Sequence, residues 1–135
     1  MAINAELSPL VLLVDDFIDG REMYAEYLTF RGLRVVTAAS DEAAVVLANG
    51  VDRPAVILMD LEMRGMSGRT AMQIIRRNPL LAAVPIVAFT AHAMEAERRI
   101  AMLDGFDAVI AKPCLPDELV SLIEPYLAQS GNAPA

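Results

Sequence analysis

The sequence predicts an α/β protein: an open, doubly wound sheet of five parallel strands with five helices. Three observations lead there. Five short apolar runs alternate with longer, helix-like segments. The apolar runs lack the polar alternation of a half-exposed sheet, and strands covered on both faces read that way. The segments between them have the length and capping signals of crossover helices, which join parallel strands across both faces of a sheet.

The elements follow in order. The first strand is predicted over Leu10–Val14 and the first helix from about Asp19 to Arg31, stopping at Gly32, a residue suited to a left-handed helix end. The second strand covers Leu33–Ala38. The second helix starts at Ser40, with Asp41 and Glu42 favourable in its first turn. The third strand is Ala55–Met59, and its helix begins near Ser67 and ends before Asn78-Pro79. The fourth strand is Pro85–Phe89, followed by a helix from about Ala93 to Asp104 that ends at Gly105. The last strand is Ala108–Ala111, and the last helix begins near Pro116, a good first helical residue, with Asp117 and Glu118 behind it. Residues 1–8 read as an N-terminal extension, 9–128 as one domain, and 129–135, the end of the small, polar "AQSGNAPA", as a flexible tail.

Bulk properties narrow the function. A chain of 135 residues suffices for one domain with a full core, and 56% hydrophobic with 21% charged residues is a globular balance. A net charge of −7 argues against a nucleic-acid partner, which requires a basic face. The single cysteine, Cys114, precludes an internal disulfide and suits a reducing compartment; with one histidine, His92, it cannot build a zinc site. The apolar runs fall far short of the ~20 residues of a spanning helix, and the N-terminus lacks a basic start before its apolar stretch. The expected location is cytoplasmic, with no membrane partner.

In an open parallel sheet, ligands bind at the carboxyl ends of the strands. Asp15 and Asp16 follow strand one there, Asp60 stands at the end of strand three, Thr90 ends the fourth-strand segment "IVAFTAH", and Lys112 follows strand five. Strand two ends in the uncharged "TAAS". Clustered carboxylates repel unless a cation joins them. With oxygen donors only, a hard divalent ion such as Mg²⁺ fits best. One carboxylate can serve as a nucleophile and form an aspartyl phosphate, with the metal and Lys112 offsetting charge on the phosphoryl group and the Thr90 hydroxyl bonding one of its oxygens.

These residues resemble the receiver domain of two-component response regulators. The resemblance covers roughly residues 9–128 and rests on Asp15-Asp16, "DLEMRGMSG" from Asp60, Thr90, and Lys112-Pro113, with steps of 44, 30 and 22 residues from Asp16 to Asp60 to Thr90 to Lys112. It implies a flavodoxin-like sheet of order 2-1-3-4-5. It implies Asp60 as phosphoacceptor, supplied by a sensor histidine kinase or a histidine phosphotransfer protein. Asp16 would ligate Mg²⁺, with Asp15 acting directly or through water, and the Glu62 backbone carbonyl as a further contact beside Asp60. Thr90 would be the switch hydroxyl and Lys112 the phosphate-pairing lysine, with a Lys112-Pro113 bond that is often cis. Gly68 matches the turn glycine after the acceptor loop. Glu62 and His92 stand at positions that tune phosphoryl lifetime, each with a plain exposed side chain as the alternative. A downstream protein would dock on the face of the fourth helix, fifth strand and fifth helix, where Glu95 has helical spacing to Arg98 and Arg99.

Two positions depart from the family pattern. Arg64 replaces the usual proline of the acceptor loop, loosening φ there, reaching a partner, or standing as a tolerated surface change. Val109 stands three residues before Lys112, where receivers carry Tyr or Phe. A valine is too short and too stiff at χ1 to swing between pocket and solvent. Signalling then runs through the fourth helix and the loop before it, or phosphorylation has a muted structural effect. The resulting expectation is a stand-alone, chemotaxis-type receiver, not an enzyme beyond assisting its own phosphorylation and dephosphorylation. Two rivals are a degenerate receiver acting as a phosphorylation-independent scaffold, and a small haloacid-dehalogenase-like phosphatase. The latter wants an aspartate where Glu62 stands.

Overall fold

Ten elements alternate strictly between strand and helix in the computed structural model, which describes residues 8–131 except 51, 64 and 66, and no side chains for 129–131. They are β1 (Leu10–Val14), α1 (Ile18–Phe30), β2 (Arg34–Ala38), α2 (Asp41–Ala48), β3 (Val56–Met59), α3 (Gly68–Arg76), β4 (Ile86–Thr90), α4 (Glu95–Asp104), β5 (Ala108–Ala111) and α5 (Pro116–Gly131). All strand pairs are parallel and the sheet order is β2-β1-β3-β4-β5, the expected doubly wound arrangement. Most of the predicted 1–8 extension, the last residues of the predicted tail, and Arg64 lie outside the described residues.

The three central strands are buried at every residue, as their unbroken apolar runs require. The edge strands β2 and β5 are only partly covered, although β5 is as apolar as the central strands and β2 carries only Arg34 and Thr37 as polar residues. An edge position, which β2 and β5 reach only through pairing, exposes one flank whatever the composition. Within the centre, alternate residues feed opposite cores. Leu12, Val14, Ile57, Met59, Ile86 and Ala88 join one cluster with α2, α3 and α4 residues. Val11, Leu13, Val56, Leu58, Val87 and Phe89 join the other with α1 and α5 residues.

Helix ends follow local chemistry. Ser40 caps α2 by accepting from the Ala43 N–H at 3.1 Å, and Ser67 caps α3 by accepting from the Thr70 N–H at 3.2 Å. Gly32 and Gly105 close α1 and α4 at φ of 91° and 120°, values that disfavour any side chain. The loops after β1, β3, β4 and β5 gather on one rim of the sheet, tied to neighbouring strand ends by the Asp15, Asp60 and Lys112 N–H groups.

Candidate functional site

Asp15 leaves β1 as a buried carboxylate, 2% exposed. Burial of a charge demands partners. Its Oδ1 accepts from the Phe17 N–H at 2.9 Å and its Oδ2 accepts from Lys112 Nζ. Its N–H donates to the Ala38 carbonyl at 3.0 Å, which locks the loop to the end of β2. Arg21, a residue the sequence did not single out, donates to the Asp15 carbonyl at 2.7 Å. Asp16 follows, half-buried.

Asp60 ends β3, anchored by its N–H to the Val14 carbonyl at 3.0 Å. Its Oδ1 accepts from the Glu62 N–H at 3.1 Å and its Oδ2 from Lys112 Nζ at 3.2 Å. Gly68 explains how the loop closes behind it. A Cβ at Gly68 would stand 2.1 Å from the Asp60 carbonyl oxygen, so α3 approaches the acceptor backbone as only glycine allows.

Lys112 joins the two carboxylates across the sheet. Its Nζ also lies 5.0 Å from the centroid of the Phe89 ring. Tyr24 braces that ring edge-on at 4.9 Å and donates its hydroxyl to the Cys114 carbonyl at 2.8 Å. The Lys112-Pro113 bond is cis. Cys114 is buried, and its thiol pKa is pushed up by desolvation, then by the charges of Glu118 and Asp117, so it stays a neutral packing group.

Thr90 is fully buried at the end of β4. Its Oγ1 accepts from the His92 N–H at 3.0 Å, and its carbonyl accepts from the Lys112 N–H at 2.9 Å. The geometry thus brings together Asp15, Asp60, Thr90 and Lys112, with Asp16 adjacent. Glu62 and His92 are exposed on its rim. His92 Nδ1 faces Glu97 Oε2 at 3.5 Å. Val109 is half-buried and packs against the α2–α3–α4 core. Of the two arginines spaced to pair with Glu95, Arg99 does so at 3.6 Å, while Arg98 instead donates to the Val109 carbonyl at 3.0 Å. Beside Val109 runs a groove of about 460 Å³ lined by residues that include Arg98, Pro113, Cys114, Leu122 and Tyr126, from α4 to α5.

The donors suit Mg²⁺. Two carboxylates converge on one cationic nitrogen, and the local ligand atoms are all oxygen. Among the described residues no three or more His, Cys, Asp or Glu side chains form a metal cluster by themselves. Mg²⁺ makes no such demand, since it keeps several waters and takes one or two carboxylates. Asp41 is a residue read only as a first-turn acid that proves fully buried; its Oδ2 lacks a partner among the described residues.

No described helix is long and apolar enough to cross a membrane. A family profile described as response regulator receiver domain matches residues 11–124. The chain is 35% identical over 135 residues to the sensor protein GacS of Pseudomonas syringae pv. syringae, covering 95% of this chain and 14% of that protein. It is 31% identical to an uncharacterized 14.6 kDa protein of Leptolyngbya boryana, covering 86% of this chain and 88% of that one. The crystal structure of the chemotaxis protein CheY4 of Vibrio cholerae superposes with a TM-score of 0.83 at 27% identity, over 88% of this chain and 98% of that one. A profile match across most of its length, on a sheet wound in the same order, places the chain in the receiver domain family of two-component response regulators.

Proposed function

We propose that the chain is a phosphorylation-dependent switch in which Asp60 accepts a phosphoryl group from a sensor histidine kinase or a histidine phosphotransfer protein. One observation carries this reading: Asp15 and Asp60, from separate strands, share Lys112 Nζ, and the Lys112 N–H donates to the carbonyl of the buried Thr90. An Asp60 oxygen attacks phosphorus, the bond to the donor imidazole nitrogen breaks, and the imidazole departs with that electron pair. Lys112 then donates to a phosphoryl oxygen from the place where it now holds Asp60. Thr90 donates its hydroxyl to another. Asp15, Asp16, Asp60 and the Glu62 backbone carbonyl would hold Mg²⁺, which when bound would supply charge neutralisation for the transferring group. Glu62 and His92, exposed at the rim, govern water's access to the product. Output is protein–protein contact through the face of α4, β5 and α5, in the cytoplasm, without nucleic acid or membrane.

Intact-mass spectrometry after incubation with Mg²⁺ and acetyl phosphate tests this. One added phosphoryl group is expected, absent in Asp60→Asn and in EDTA. A folded chain that gains no mass overturns the phosphoacceptor role and favours a phosphorylation-independent scaffold; steady turnover of a phosphate ester favours a phosphatase.

A further inference from the structure

The short segment from Thr90 to Arg98 forms an unbroken series of contacts. The Thr90 hydroxyl oxygen accepts from the His92 N–H at 3.0 Å. The His92 imidazole faces Glu97 Oε2 at 3.5 Å, and Glu97 Oε1 accepts from the N–H of Met94, the residue that opens α4, at 3.0 Å. The next residue, Arg98, donates from Nε to the Ala93 carbonyl at 2.9 Å and from its guanidinium to the Val109 carbonyl at 3.0 Å. One end of this series touches the buried site and the other grips β5 at the position where Val109 leaves no ring to move.

We infer that the His92–Glu97 contact is the latch through which the state of Thr90 reaches α4, a claim that rests on Asp60 being the phosphoacceptor. When the Thr90 hydroxyl turns toward a phosphoryl group, the His92 N–H loses its acceptor. The His92 loop then shifts, the imidazole leaves Glu97, and Glu97 releases the Met94 N–H. The first turn of α4 loosens, and with it the Arg98 grip on Val109. A hollow of about 220 Å³ lined by residues including Glu62, His92, Glu97 and Ile100 gives these side chains room to rearrange. His92 and Glu97 are positioning residues here; neither touches the reacting atoms.

Amide hydrogen exchange on the full chain, read on peptides covering residues 91–100 with and without Mg²⁺ and acetyl phosphate, tests the latch. Intact mass counts phosphoryl groups in parallel. Phosphorylation is expected to speed exchange in the first turn of α4 roughly fivefold, the scale of a lost helix cap. Glu97→Ala shows that faster exchange without phosphate and gains nothing further on taking up its phosphoryl group. Glu97→Gln, which keeps an acceptor for Met94, restores the slow basal exchange. A Glu97→Ala chain that is phosphorylated and still shows the wild-type change overturns the latch and leaves the phosphoacceptor reading intact. So does a phosphorylated wild-type chain with unaltered exchange there. Failure of the wild-type chain to gain a phosphoryl group removes both.

Discussion

Lys112 Nζ balances two carboxylates of which Asp15 has a side chain only 3% exposed. Breaking a buried pair strands the remaining charge, which costs more than the intact pair contributes. Lys112→Met is therefore expected to lower unfolding free energy by about 3 kcal/mol in urea titration. Adding Asp15→Asn removes the stranded charge, so the double variant is expected to recover at least part of that loss, a non-additivity a double-mutant cycle reads directly. By contrast Glu95 and Arg99, 90% and 72% exposed, form a pair whose removal should leave stability essentially unchanged. The sequence offered Glu95 and Arg99 as a pair at helical spacing and placed Lys112 on the same rim as Asp15 and Asp60 without pairing them. Only burial separates the one that matters from the one that does not.

Helix α3 supports the site at its start and the opposite edge of the sheet at its end. At its start, Gly68 lets the helix approach within 2.1 Å, for a would-be Cβ, of the Asp60 carbonyl oxygen. Gly68→Ala must move backbone against backbone, so it is expected to cost about 1–3 kcal/mol by thermal unfolding and to slow phosphorylation of Asp60 by acetyl phosphate. At its other end Arg76 donates to the Ala82 and Val84 carbonyls at 3.0 Å each, to the Gly105 carbonyl at 3.0 Å, and to Asp107 at 2.7 Å. Asp107 in turn accepts from the Ile86 N–H at 2.8 Å. One guanidinium thereby ties the loops before β4 and β5. Arg76→Ala should destabilise by roughly 2 kcal/mol in urea, since hydrogen bonds to a charged group are the strong ones. Nothing in the sequence marks Arg76 apart from its neighbour Arg77, because its partners lie 6 to 31 residues away and meet only in the folded chain.

Across the whole molecule, one sheet serves two cores. Ile57 and Leu58 are adjacent on β3, both fully buried, and point to opposite sides. Cores on a shared sheet should unfold together. Ile57→Ala and Leu58→Ala are each expected to lower stability by about 2–5 kcal/mol. Both should preserve a single transition, with far- and near-ultraviolet circular dichroism giving coincident midpoints. Separate transitions for the two variants would refute that coupling.

The sequence by itself determined the alternation of five strands and five helices, the rim on which Asp15, Asp16, Asp60, Thr90 and Lys112 stand, and the absence of a ring at Val109. Those features are local: apolar run length, capping residues, and the rule that strand ends carry the site. Tertiary structure alone decided which carboxylates Lys112 bridges, that Gly68 serves close approach and not a turn of positive φ, and that Arg98 leaves Glu95 for the Val109 carbonyl. Each depends on distances between residues far apart in the chain, and hydrogen bonds and burial act on those distances, not on spacing along the sequence.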